Sequence, residues 1–301
     1  MAKPIKIKIA GDASGFNKVM DGVTSKLGKV GSKLSSAGKG IGAGLGAAAG
    51  GAAALGAASI SAAVDFEKSM GEVFTLMPGI SGDAMAEMAA QVGQFSKEFG
   101  VLPDEVVPAL YSALSAGVPA DTVFDYMETA TKLATGGVTD LDTAVDGLSS
   151  VVNAYGSEII TSAEASDIMF TAVRFGKTTV DELARNISKV TPIASALGVG
   201  FDEVGASLAV LTASGVPTAE AATQMKSAMA ELGKAGSVAD KAFKAANNGG
   251  SFTEFVENGG SLVEALVKMK VSGEITDKSV IDMFGSIEAG AAVLSLTKNG
   301  G

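Results

Sequence analysis

The sequence contains no cysteine, no histidine and no tryptophan. Without cysteine there are no disulfides and no thiolate metal sites, and the redox compartment leaves no mark. Without histidine the usual general base, histidine-built triads and most zinc sites are excluded. Aromatic residues make up only 5% of the 301 residues, although hydrophobic residues reach 47%. The core must therefore be Ala, Val, Leu, Met and Phe, which suits close helix packing better than sheets. This length supports one large domain or two small ones. No signal peptide is expected, because the apolar run starts forty residues in.

Charge is present but unevenly spread. Residues 1–40 carry Lys3, Lys6, Lys8, Lys18, Lys26, Lys29, Lys33 and Lys39 against Asp12 and Asp21, a balance of +6. The total is −10, so the remainder carries −16. A basic arm could touch an acidic protein surface or nucleic acid. It has no arginine and one aromatic, Phe16, so sequence-specific nucleic-acid binding is not expected.

Residues 40–64 form 25 positions without a charge, 18 of them Gly or Ala. The run is long enough to cross a bilayer as a helix. Only Ile41, Leu45, Leu55, Ile60 and Val64 are large apolar residues, so insertion would be marginal. Gly42, Gly46 and Gly50 have the small-xxx-small spacing that lets helices approach closely. A close-packed helix in a multi-chain assembly is the favoured reading. Membrane contact through these glycines and a flexible linker are the alternatives.

Ile5, Ile7 and Ile9 alternate with Lys6 and Lys8, the pattern of one short strand within residues 1–12. Phe16, Met20, Val23, Leu27, Val30 and Leu34 then follow a 4,3 spacing, a heptad seam that predicts a coiled coil between chains. Gly22, Gly28, Gly31 and Gly38 weaken that helix in isolation, so it needs partners. Residues 13–80 read as a basic, then Gly/Ala-rich, helical arm stopped near Pro78-Gly79.

From residue 81 the pattern changes to short helices separated by Gly and Pro. Met85, Met88, Val92, Phe95 and Phe99 define one face, closed by Gly100. Helices are expected at about 103–116, 120–135, 140–155, 162–175, 179–197, 202–214, 218–233, 237–246, 251–258, 261–270 and 277–297. Pro108 is expected in a first turn capped by Asp104. Thr179-Glu182, Ser251-Glu254 and Ser261-Glu264 have capping-box spacing. The fold class is therefore all-α: a helical arm, then a compact domain of helix hairpins over 81–301, with one short N-terminal strand.

An internal repeat runs at an offset of 98 residues. Gly100-Val101, Asp104-Glu105-Val106, Leu110 and Gly117-Val118-Pro119 recur as Gly198-Val199, Asp202-Glu203-Val204, Leu208 and Gly215-Val216-Pro217. Met127 matches Met225. The repeat units span about 98–133 and 196–231, each a capped helix, a tight corner and a second helix. Val118 and Val216 are expected to be buried there.

Candidate chemistry is sparse. The glycines of 38–46 follow a heptad helix, where a dinucleotide fingerprint should follow a strand. Gly176-Lys177-Thr178 mimics the end of a phosphate loop, but Thr171 occupies the position of its first glycine. Asp104-Glu105, Asp181-Glu182 and Asp202-Glu203 stand at helix starts, where the helix dipole favours them without any catalytic role. Arg174 and Lys177 flank Phe175 and could mark a contact surface. No catalytic residue, cofactor site or metal site is predicted, and an enzyme is not expected.

Several longer motifs carry a resemblance. They are Val64-Asp-Phe-Glu-Lys-Ser-Met70, Ala113-Leu-Ser-Ala-Gly117, Lys132-Leu-Ala-Thr-Gly-Gly-Val-Thr-Asp-Leu141 and Asn153-Ala-Tyr-Gly156. Thr178-Thr-Val-Asp-Glu-Leu183, Val190-Thr-Pro-Ile-Ala-Ser-Ala-Leu-Gly198 and Leu211-Thr-Ala-Ser-Gly215 follow. In this order they resemble the N-terminal core region of tail tape measure proteins of tailed bacteriophages. The resemblance implies a structural protein of the virion tail lumen, assembled in the host cytoplasm and ejected ahead of the DNA. Its implied partners are copies of itself (a trimer or hexamer) and tail-tube, tail-tip and chaperone proteins. The host membrane is a partner in the alternative reading, a membrane-active delivery protein using residues 40–64. Tape measure proteins are usually longer, so a truncated or processed portion is expected.

Overall fold

The computed structural model describes residues 56–274, 276 and 279–298. Among them are 15 helices and no strand, so the fold class is all-α. The predicted strand and heptad seam lie outside the described residues, as does most of the Gly/Ala run. The chain divides into two compact units between Tyr111 and Ser112.

The first unit contains α1 (Gly56–Thr75), α2 (Gly82–Phe99) and the start of α3 (Pro103–Ser115). Helix α1 stops ahead of Pro78, and Gly79 is left-handed at φ 88°. Ser81 caps α2 by accepting the Ala84 N–H at 3.2 Å. Gly100, left-handed at φ 70°, closes it. Met88, Val92 and Phe95 of the predicted face are buried, and the Phe95 and Phe99 rings lie 4.5 Å apart. Helix α3 opens at Pro103 rather than after Asp104. Pro108 therefore falls in the second turn, where it forgoes the bond to the Asp104 carbonyl.

The second unit contains the rest of α3 and twelve further helices. They are α4 (Val123–Gly137), α5 (Leu141–Tyr155), α6 (Ser162–Phe175), α7 (Val180–Ile187), α8 (Thr191–Ala196), α9 (Phe201–Ala213) and α10 (Thr218–Gly233), followed by α11 (Val238–Ala246), α12 (Phe252–Glu257), α13 (Leu262–Val271), α14 (Val280–Met283) and α15 (Ile287–Leu296). Two expected helices are each broken in two. The span 179–197 breaks between α7 and α8 because Pro192 cannot donate a helical bond and buried Val190 turns inward ahead of it. The span 277–297 breaks at Gly285, which is left-handed at φ 67°.

Capping follows the sequence with one exchange. Ser251-Glu254 and Ser261-Glu264 form complete boxes. Thr179 caps α7, but the Glu182 side chain bonds elsewhere and the box stays half made. Thr161-Glu164 forms a complete box instead.

The core is filled by Leu133, Leu148, Met169, Leu183, Leu208, Met225, Phe243 and their neighbours. Helices α6 and α9 run side by side in the same direction. Gly205 allows this, because a β-carbon there would stand 2.6 Å from Ile168 Cγ2. Two buried tyrosines tie the hairpins together. Tyr126 donates to the Val145 carbonyl at 3.0 Å and Tyr155 to the Val199 carbonyl at 2.9 Å. Burial raises the pKa of both phenols.

The helix ends at the two Gly-Val-Pro corners are closed alike. Val118 N–H bonds the Ala113 carbonyl at 3.0 Å, and Val216 N–H bonds the Leu211 carbonyl at 3.2 Å. Gly117 and Gly215 are left-handed at φ 93° and 95°. Val106 and Val204 are buried, as are Leu110 and Leu208, and Met127 and Met225. Val118 and Val216 are both only half-buried, short of the expected burial. After the first corner a further turn intervenes, with Thr122 N–H bonding Pro119, so α4 starts later than expected.

Candidate functional site

Three helix corners meet at one end of the second unit. The first joins α4 to α5. Helix α4 ends in Gly136-Gly137 because the Val180 isopropyl group fills the place of a Gly137 β-carbon. Val138 then closes the helix in the left-handed region, φ 55° and ψ 52°. A β-branched residue crowds its own backbone there and is rarely found. Its side chain is 91% exposed, so no packing of its own offsets the strain. Thr139 next donates to Asp181 at 3.1 Å, and Asp140 caps α5 by accepting Thr143 N–H at 2.7 Å.

The second corner joins α6 to α7, and the third joins α9 to α10. Lys177 N–H donates to the Thr212 hydroxyl at 3.2 Å. The Thr178 hydroxyl lies 2.7 Å from that of Thr218, which donates to Glu182 at 2.7 Å. Thr218 is buried and so is Thr212. Hydroxyls and carboxylates thus hold the three corners together, and apolar groups project beyond them. Phe175 is 66% exposed, with the Arg174 guanidinium 5.3 Å from its ring centroid. Lys177 is also exposed.

Beside the corners lies a polar cleft of about 200 Å3 lined by Thr143, Asp146, Ser149, Ser150, Arg185 and Ser188. Arg185 grips Asp181 with Nε at 2.9 Å and Nη2 at 2.8 Å, and reaches the Thr143 hydroxyl at 3.1 Å. The Arg185–Asp181 hydrogen bond first of all holds the Asp181 carboxyl below its ordinary range. The Thr143 N–H does the same for Asp140. Burial pushes Asp146 upward, reinforced by Asp142 and Asp140. Ser149 donates to the Asp146 main-chain carbonyl at 3.1 Å. No group of three or more acidic side chains among the described residues could hold a metal ion.

The predicted seam residues Phe16, Met20, Val23, Leu27, Val30 and Leu34 lie outside the described residues, as do Gly42, Gly46 and Gly50. Three of the paired carboxylates make hydrogen bonds between or within helices. Asp181 holds Arg185, Glu182 holds Thr218, and Glu203 accepts Val263 N–H at 3.1 Å. Gly176-Lys177-Thr178 is a helix corner bonded to α9. Phe175 and the Arg174 and Lys177 that flank it are exposed. Val138 was missed, although its Gly-Gly-Val-Thr-Asp setting, without a glycine at the closing position, carried the signal.

No solved structure matches this chain. The sequence model described as "Phage-related minor tail protein" matches residues 89–287, about two-thirds of the chain. The chain belongs to the phage-related minor tail protein family. Its match takes in all three corners and the cleft. Within curated proteins the chain is similar to a "Probable tape measure protein" of Clostridium phage phiCD119, 37% identical over 245 residues. That alignment covers 78% of this chain and 26% of the relative. A "Tape measure protein" of Pneumococcus phage Dp-1 is 22% identical over 211 residues, 70% of this chain and 18% of the relative. The chain thus spans about a quarter or less of the length of these relatives.

Proposed function

We propose that this chain acts as part of a phage tail tape measure protein, a structural element around which tail-tube subunits assemble and which leaves the tail when the genome is ejected. The observation that carries this reading is the 37% identity over 245 residues to a protein named as a probable tape measure protein. Membership of the minor tail family and the all-helical fold of the described residues support it. The chain acts without catalysis. Its site is the tail lumen of the virion, and its partners are tail-tube, tail-tip and chaperone proteins. The domains in this reading are a strand at 1–12, a helical arm at 13–80 and a compact helical core at 81–301. Copies associate through the seam of Phe16, Met20, Val23, Leu27, Val30 and Leu34 as a trimer or hexamer, with Gly42, Gly46 and Gly50 allowing close packing behind it.

The test is protease protection in purified virions, followed by mass spectrometry. The chain should be shielded in intact tails and lost from them after triggered DNA release. Cleavage in intact tails, or full retention after release, would sink the proposal. The membrane-active alternative rests on residues 40–64 alone. No helix among the described residues is long and apolar enough to cross a membrane. Dye leakage from liposomes with the chain, abolished by Gly46→Asp, would revive it.

A further inference from the structure

Two Asn-Gly pairs follow helices of the second unit, Asn248-Gly249 after α11 and Asn258-Gly259 after α12. Glycine has no side chain to shield its main-chain nitrogen, so an asparagine carboxamide is most open to attack by the backbone when glycine follows it. Among the described residues no other asparagine precedes a glycine. Both pairs are exposed, yet the fold holds them differently.

The Asn258 side-chain nitrogen donates to the Glu254 carbonyl at 2.6 Å, which lays the carboxamide back on the last turn of α12. Gly259 N–H donates to the Val256 carbonyl at 2.8 Å. Leaving group and attacking nitrogen are therefore both engaged. Asn247 is held as well. Its Oδ1 accepts Lys268 Nζ at 2.8 Å, and its Nδ2 donates to the Gly250 carbonyl at 3.3 Å.

Asn248 stands left-handed at φ 52°, and Gly249 follows at φ 89°. Asn and Gly tolerate such backbone best, so the corner itself favours this pair. The Asn248 side chain is exposed and makes no hydrogen bond among the described residues. A β-carbon on Gly249 would meet nothing within 4 Å, so neighbouring groups leave the pair open. Gly249 N–H donates to the Lys244 carbonyl at 2.7 Å, and attack waits on the opening of that one bond.

We infer that Asn248 is a site of spontaneous deamidation and that Asn258, with the same glycine after it, is protected by the fold. The Gly249 nitrogen loses its proton to solvent and bonds to Asn248 Cγ. The Cγ–Nδ2 bond breaks, and Nδ2 leaves as ammonia with a proton from water. Water then opens the cyclic imide. Opening at Cγ gives aspartate. Opening at the main-chain carbonyl carbon gives isoaspartate, in which the backbone runs through Cγ. A water is consumed and an ammonia released, and nothing is oxidised or reduced. The isoaspartate form lengthens a corner from which Asn247 reaches Lys268 of α13. The change is one-way, so altered chains accumulate with age. It does not depend on the tape-measure reading.

Peptide mapping of the full-length chain tests this. The chain is incubated folded, and unfolded in guanidinium chloride, at neutral and mildly alkaline pH. Trypsin then releases residues 245–268, which carry Asn247, Asn248 and Asn258 in one peptide. Fragmentation in a mass spectrometer locates the converted residue. In the folded chain Asn248 should convert about two- to tenfold faster than Asn258, the factor that one net hydrogen bond supplies. In the unfolded chain the two rates should converge, and alkaline pH should speed both. Asn258 keeping pace with Asn248 in the folded chain would overturn the inference. So would an Asn248 that stays an amide while the unfolded chain converts, or an equal excess at Asn248 in guanidinium chloride, which would assign the difference to sequence instead of fold.

Discussion

Thr218, the first residue of α10, donates a hydrogen bond of 2.7 Å to the carboxylate of Glu182 in the first turn of α7. One bond thereby joins corners 36 residues apart and diverts Glu182 from its own capping box. Thr218→Val keeps the shape and removes the donor. Loss of a hydrogen bond to a charged group costs about 1.5–3 kcal/mol, and the exposure of Glu182 places this one near the lower limit. Urea unfolding should show an earlier midpoint with unchanged slope, restored by Thr218→Ser. An unchanged midpoint in Thr218→Val would show that the corners stand without it.

Val138 is a strained residue whose side chain touches little. A left-handed conformation costs a non-glycine residue on the order of 1–2 kcal/mol, less for Asn than for Val. Val138→Asn and Val138→Gly should therefore raise the thermal midpoint. A lower midpoint in both variants would mean that Val138 is held by contacts rather than exposed.

Gly205 marks the closest approach of α6 and α9. A methyl group there collides with Ile168 Cγ2, a stiff β-branched position. Overpacking of this kind costs about 1–3 kcal/mol. Gly205→Ala should destabilise by that amount, and Ile168→Ala in the same chain should recover part of it. Additive losses in the double variant would contradict the collision.

Glu203 on α9 reaches the start of α13, where Val263 N–H donates to it at 3.1 Å. Burial, the largest influence, raises its pKa, and the main-chain donors only partly oppose this. A raised carboxyl binds its proton more tightly in the folded chain. Its contribution is therefore fully present below the unfolded value of about 4.3 and lost as pH rises through the folded value. Glu203→Gln carries no titrating group. The stability of the parent relative to this variant should fall as pH rises from about 4 toward neutrality. A difference that is constant, or that grows with pH, would mean that the N–H donors outweigh burial.

Much of this architecture is legible in the sequence because helix ends are written locally. The ranges 162–175 and 218–233 match the observed helices residue for residue, since Thr161, Pro217 and the closing glycines act within one turn. The break at 188–190 was missed because the 3.6-residue apolar pattern continues through Val190 while Pro192 ends the hydrogen bonding. The corner cluster was less legible. Thr139 and Asp181 are 42 positions apart, and Lys177 and Thr212 are 35 apart. No periodicity relates such pairs. Phe175 between two cations was visible as a contact candidate, but the approach of Glu231 to Gly285 emerges only when α10 and α14 are brought together.

Tail length in electron micrographs tests the central claim most directly. Phage assembled without this chain should yield no tails, or tubes of unregulated length, and supplying the full-length protein should restore a single length. Infectious particles with tails of normal, uniform length in its absence would contradict the account.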